Sequence, residues 1–178
     1  MIRRMQINRA QLKVLTNSIL LIIIFMICCK ALSYRIMFQI TPSLPKGVYL
    51  IDRPARIENG MLCVFTIPPD VYGMMRSRGW LPENLSFFLM KPVVAKQGDV
   101  VEVSAAGLSI NGKYFGPVSQ YDSQGLPLPR AYRKYLLGQG EYFVASTYHN
   151  SFDSRYFGKI RRADIRWVAR PLLVLEMS

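Results

Sequence analysis

Apolar residues are concentrated early in the chain and then break into short runs. Val14 to Cys29 is interrupted only by Thr16, Asn17 and Ser18, and Ile19 to Cys29 has no polar break apart from its cysteines. A spanning helix needs ~20 apolar residues, and Ala31 to Tyr34 extends the run if Lys30 snorkels. The pattern predicts a basic tail over residues 1–13, a membrane anchor over 14–34 and a single domain over 35–178. No small-x-small site follows the apolar core, where Cys28-Cys29-Lys30 stands instead, which argues against a cleaved signal peptide. Met26 and Ile27 before Cys28 argue against a lipid-bearing cysteine.

Beyond the anchor the pattern is that of short strands. Val48 to Asp52 and Met61 to Ile67 read as strands, punctuated by Pro54 and Asn59-Gly60. Val71 to Arg78 reads as a short helix ended by Gly79 and Pro82, within an otherwise irregular stretch over 68–86. Phe87 to Ala95 is an apolar strand that carries Lys91, and Gly98-Asp99 is a turn. Val100 to Val103 and Leu108 to Ile110 follow, with Asn111-Gly112 as the next turn and Tyr114 and Phe115 beyond. Residues 117–130 read as a surface loop, Tyr132 to Leu137 as a helical turn, Glu141 to Ser146 as a strand, and Ile165 to Leu175 as a final strand broken by Pro171. Turn signals every eight to twelve residues suggest an all-β barrel or sandwich.

Charge adds topology. The formal charge is +12, and residues 1–35 contribute six basic side chains and no acid, leaving 17 basic and 11 acidic residues scattered over the rest. Four positive charges precede the apolar run and two follow it, which places the N-terminus in the cytoplasm and the domain on the far side, periplasmic in a Gram-negative cell. No basic-aromatic module is visible, so nucleic acid is not an expected partner. Cys63 alone among the three cysteines lies in the domain, so neither a disulfide framework nor a metal site can be built, and no cofactor is expected. Cys63 reads as a small buried apolar residue.

Two stretches hold candidate chemistry. Ser43 is flanked by Pro42 and Pro45 with Gly47 beyond, and prolines push Thr41 and Leu44 away from helix. Such a backbone holds a hydroxyl in a defined place, or is a linker between anchor and domain. A serine nucleophile needs a base. His149 is the single histidine, so a Ser43–His149–Asp153 triad is formally available, although no local signature supports it. Lysine can replace histidine if its ammonium is desolvated. Lys91, between Phe87–Met90 and Val93–Val94, is either an edge-strand charge reaching water or a buried amine. Lys96 sits at a turn, where it stays solvated.

Thr41-Pro42-Ser43-Leu44-Pro45-Lys46-Gly47-Val48-Tyr49 resembles the Ser-x-Pro-x-Gly-x-Tyr signature of the conjugative-transfer (TraF-type) branch of the type I signal peptidases. Lys91-Pro92-Val93-Val94-Ala95-Lys96-Gln97-Gly98-Asp99 resembles that superfamily's lysine box, and Ser151-Phe152-Asp153-Ser154-Arg155-Tyr156-Phe157-Gly158 resembles its Ser-x-Asp-Ser-Arg-x-x-Gly box. Arg78-Gly79-Trp80-Leu81 is similar to a further element of the branch. Two positions depart from the pattern: Gln39 stands where the branch usually has asparagine, and Pro92 follows the lysine in place of arginine. Pro92 lacks a ladder N–H, so its strand is expected at an edge or bulge.

The resemblance implies a mostly-β, signal-peptidase/LexA-like core behind one transmembrane helix. It implies Ser43 as nucleophile and Lys91 as neutral general base, with Ser151 orienting the lysine. Thr41 and the Ser43 N–H would form the oxyanion hole, and Asp153 and Arg155 a structural ion pair. The function implied is that of an inner-membrane serine endopeptidase that processes a conjugative pilin precursor beside type IV secretion components, with or without cyclisation of the product. The alternatives are a general type I signal peptidase for exported proteins and a non-catalytic, membrane-anchored pilus assembly factor. A LexA-like regulator is a further alternative, but no DNA-binding helix-turn-helix precedes the domain.

Overall fold

A computed structural model describes residues 8–33, 35–81 and 88–175. The first part of the basic tail with Arg3 and Arg4, Tyr34, and the stretch 82–87, which includes Pro82 and Phe87, lie outside the described residues. The chain divides into two compact units at Ile36/Met37.

The first unit is α1, Arg9–Ser33. Its 25 residues span ~37 Å at the α-helical rise, against a hydrocarbon core of ~30 Å. Arg9–Ala31 is long and apolar enough to cross a membrane. The helix begins five residues before the apolar run because Arg, Ala, Gln, Leu and Lys are all good helix formers. Thr16 does not break it, since its hydroxyl donates back to the carbonyls of Leu12 and Lys13.

The second unit is mostly β. Its larger sheet contains β1 (Ile36–Gln39), β2 (Gly47–Asp52), β3 (Leu62–Thr66), β4 (Phe88–Ala95), β9 (Glu141–Val144), β10 (Ile160–Arg161) and β11 (Ile165–Val174), in the order β1-β2-β11-β3-β4-β9-β10. The smaller sheet contains β5 (Val100–Ser104), β6 (Gly107–Ile110), β7 (Lys113–Gly116) and β8 (Arg133–Leu136), in the order β7-β6-β5-β8. Two short helices, α2 (Pro69–Ser77) and α3 (Ser154–Phe157), complete the unit.

Burial explains the near-continuous apolar runs. Cys63 and Phe65 of β3 and Val93 of β4 enter one cluster with Val144, Ile160 and Ile165, while Val64 and Met90 enter another with Leu44, Tyr49 and Ala169. Strands covered on both faces lose the polar alternation of half-exposed strands. A third cluster joins Val101, Val103 and Leu108 of the small sheet to Ala95, Phe143, Ala145 and Tyr156. At zero exposure, Cys63 is a core residue, and burial pushes its thiol up to about 12.

One local expectation is corrected, and one left between two alternatives is decided. Tyr132 to Leu137 is not a helical turn: Arg133–Leu136 is β8, paired antiparallel with β5 from Val103↔Arg133 to Val100↔Leu136. Pro92 does not lie at an edge, because β4 runs between β3 and β9. The Pro92 carbonyl accepts from the Ala145 N–H, one residue past the end of β9. The register with β9 shifts between Val93 and Ala95, so the pairing is irregular beside Pro92, as the bulge alternative expected.

Candidate active site

Ser43 lies in the turn between β1 and β2, and the turn is tied down at several points. The Tyr49 hydroxyl, itself buried, donates to the Pro45 carbonyl at 2.7 Å, and Leu175 N–H donates to the Lys46 carbonyl at 2.8 Å. Gly47 is required by close approach: a Cβ there would lie 2.2 Å from the Leu173 carbonyl oxygen. Leu44 is buried against Met90 and Tyr49. The motif thus folds into a fixed loop, which the linker reading did not anticipate, and Ser43 is only 7% exposed.

The Ser43 hydroxyl lies 3.3 Å from Thr41 Oγ1. Behind it, Gln39 Nε2 donates to Thr41 Oγ1 and to the Thr41 carbonyl. The Ser43 carbonyl accepts a 2.6 Å hydrogen bond from Ser146 Oγ, 103 residues away in sequence.

Lys91 sits in the interior of the larger sheet, opposite Cys63, and is 5% exposed. The edge-strand reading of this lysine is therefore ruled out, since β4 has neighbours on both sides. Its amine donates to Ser151 Oγ at 2.9 Å. Burial lowers its pKa from 10.5 to about 8; Asp153 opposes that shift and Arg155 adds to it. Lys96, by contrast, is half exposed and paired with Glu58.

Asp153 and Arg155 lie beneath these groups. Asp153 is fully buried and Arg155 1% exposed. The guanidinium is bidentate on the carboxylate, with Nε to Oδ1 and Nη2 to Oδ2 both at 2.8 Å. Its remaining donors reach the carbonyls of Pro117, Ser146, Tyr148 and Ser151. Asp153 also accepts from the N–H groups of Ser146 and Arg155, the latter capping α3. One buried ion pair thereby holds the strand end at Ser146, the turn at Tyr148 and the backbone of Ser151.

These contacts bring Thr41 to Ser43 and Lys91 to Ser151, and they bring both pairs to the Asp153–Arg155 cluster, through Ser146 on one side and Ser151 on the other. Among the described residues, no direct hydrogen bond joins the Ser43 hydroxyl to the Lys91 amine. The triad arrangement is not assembled. His149 lies exposed in the turn with its ring against Tyr148, and Asp153 is committed to Arg155. The Arg78-Gly79-Trp80-Leu81 element closes α2: Arg78 binds Asp122 and the Pro127 carbonyl, and Trp80 packs edge-on against Phe152, next to Ser151. Ser146 escaped the sequence reading, because nothing local marks a serine at the end of an apolar strand as the partner of a residue 103 positions away.

The cluster thus joins a loop-held serine, a buried lysine on a serine hydroxyl and a buried Asp–Arg brace, and comparison with known proteins gives the family of the chain. Residues 9–173 match the signal peptidase family, peptidase S26, and the chain belongs to it. The chain is 34% identical to a plasmid transfer protein TraF of Escherichia coli over 142 residues, covering 75% of this chain and 80% of that protein. It is 32% identical to a probable conjugal transfer protein TraF of Sinorhizobium fredii over 151 residues, covering 79% of this chain and 77% of that one. It is also 32% identical to a conjugal transfer protein TraF of Agrobacterium fabrum over 152 residues, covering 80% and 84%. A signal peptidase I crystal structure from Enterococcus faecalis is similar to 70% of the chain and to 100% of that protein at 19% identity, with a TM-score of 0.36.

Proposed function

We propose that the chain is a membrane-anchored serine endopeptidase in which Ser43 attacks the scissile carbonyl and Lys91 takes its proton. The observation that carries this reading is the Lys91 amine, buried in an apolar strand and held on Ser151 with its pKa lowered to about 8. A lysine base must be neutral to accept a proton, and desolvation is what makes it so near physiological pH. As the Ser43 Oγ–carbon bond forms, the carbonyl electrons move to oxygen. The Thr41 hydroxyl and the Ser43 N–H stabilise that charge. The Lys91 ammonium then returns the proton to the leaving amine. Ser151 orients Lys91, and Asp153 with Arg155 braces the loop that carries Ser151. In this reading the Ser43–Lys91 hydrogen bond forms when substrate binds, since catalytic hydrogen bonds commonly reach their working geometry only in the complex.

The substrate in this reading is a pilin precursor of a conjugation apparatus. Support comes from proteins named for plasmid or conjugal transfer that match most of the chain's length, which favours a substrate within conjugation over exported proteins at large. The apolar N-terminal helix serves as an inner-membrane anchor, with the N-terminus in the cytoplasm and the catalytic domain in the periplasm. Tethering then raises the effective concentration of a membrane-borne substrate. A silent assembly factor gives no reason to keep a lysine buried, at a cost of about 3 kcal/mol.

The test is precursor processing in cells. Ser43→Ala and Lys91→Ala should each leave the pilin precursor unprocessed while protein level is unchanged. Normal pilus assembly by both variants would restore the assembly-factor reading, and accumulation of many exported precursors would restore the general signal peptidase. The intact mass of mature pilin distinguishes resolution of the acyl-enzyme by water from resolution by the pilin's own amine, since the cyclic product lacks one water.

A further inference from the structure

The contact between Thr41 and Ser43 leaves open which hydroxyl donates, and the answer lies one side chain further back. Gln39 ends β1 and is 8% exposed. Its Nε2 is 2.9 Å from the Thr41 carbonyl oxygen and 2.6 Å from Thr41 Oγ1. A carbonyl oxygen can only accept, so the end of the amide facing it must be the NH2, and chemistry fixes the flip. The second amide hydrogen then falls on Thr41 Oγ1. With its oxygen accepting from the amide, the single Thr41 hydroxyl hydrogen is free to turn toward Ser43 Oγ, 3.3 Å away.

We infer that Gln39 is a positioning residue that sets the direction of the hydrogen-bond chain through the site: Gln39 donates to Thr41, and Thr41 donates to Ser43 Oγ at rest and to the oxyanion in the transition state. This rests on the reading of Ser43 and Thr41 given above. Two consequences follow. Ser43 accepts from Thr41, so its own proton is left for the base. The Thr41 donor also needs no reorientation when negative charge develops, which is the condition under which an oxyanion donor is most effective. Gln39 itself transfers no proton; the Ser43 proton goes to Lys91, and the electron pair of the attacked carbonyl goes to the oxygen that Thr41 faces.

The experiment measures kcat and KM of the purified full-length protein in detergent micelles, with a purified pilin precursor from a conjugative plasmid as the probe. Thr41→Val should lower kcat by roughly 10²-fold, the scale of one lost oxyanion donor, with KM little changed. Gln39→Glu keeps the shape, but an ionised carboxylate only accepts. It turns the Thr41 hydrogen away from Ser43 and should lower kcat by a similar factor. Gln39→Met removes the amide without adding charge and should lower kcat by roughly tenfold, the worth of about one hydrogen bond. Combined with Thr41→Val, neither Gln39 change should lower kcat further. Losses that multiply in the double variants, an unchanged kcat in Gln39→Glu, or an effect on KM or melting temperature alone would each overturn the inference. If Gln39→Glu does not fold, the Gln39→Met pair decides by the same rule. Ser43→Ala in the same assay separates the two levels: residual cleavage by that variant removes the underlying reading of the site, whereas an inert Ser43→Ala with multiplying losses removes only the role of Gln39.

Discussion

Replacing Lys91 by methionine should make the domain more stable at neutral pH and less so, relative to wild type, as pH rises. Burial holds the folded-state pKa at about 8, below the ordinary 10.5. Below pH 8 both folded and unfolded chains carry the proton, and the folded one bears the full cost of a buried ammonium. Between about 8 and 10.5 the folded protein has released the proton while the unfolded chain still binds it, so stability climbs with pH. Above 10.5 both forms are neutral and the penalty is gone. The gap corresponds to about 3 kcal/mol at pH 6. Methionine is close to lysine in volume, so packing changes little. Ser151 Oγ loses the hydrogen bond it receives from the amine, which offsets about 1 kcal/mol. The net gain is about 2 kcal/mol, or roughly 4–8 °C in melting temperature for a domain of this size. Thermal unfolding of the full-length protein in mild detergent, followed by Trp80 and Trp167 fluorescence, reads it directly, because both indoles pack against phenylalanines. A difference between variant and wild type that stays constant from pH 6 to pH 10.5, or a variant less stable at pH 6, would refute the claim that desolvation sets this amine's pKa.

On the proposed mechanism, the same shift makes the precursor-processing rate rise roughly tenfold per pH unit below pH 8 and level off above it; a flat profile would argue against a lysine base. Arg155→Met leaves the Asp153 carboxylate buried without its counter-charge, and should destabilise the domain by about 3–5 kcal/mol, seen as a fall in melting temperature of roughly ten degrees or more. His149→Ala changes an exposed turn residue, so processing should stay within roughly twofold of wild type with an unchanged pH profile. A large loss there would return histidine to the chemistry.

Strands such as β3, β4 and β9 were legible because fully covered strands read as apolar runs, and α1 because its length and composition have few alternatives. β1 was not legible: four residues between the apolar helix and a proline loop have no period, and the strand exists through pairing with β2, which β11 holds from its other side. β8 was misread because Arg-Lys-Tyr-Leu alternates nothing, and its extended form comes from pairing with β5. Pro92 pointed to an edge or a bulge by a sound rule. Which of the two holds depends on how the neighbouring strand pairs, and the register shift beside Pro92 makes it the bulge.

Residue types along the chain sufficed to show a long apolar N-terminal helix, a mostly-β domain and the motifs around Ser43, Lys91 and Ser151. Whether Lys91 met water or a closed interior could not be read from its neighbours in sequence, because a strand's position in a sheet is set by pairing between distant segments. The joining of the Ser43 loop to the Asp153–Arg155 brace by Ser146 belongs to the folded chain for the same reason. It is a contact across 103 residues, and it exists only once the strands that carry its two ends have found their partners.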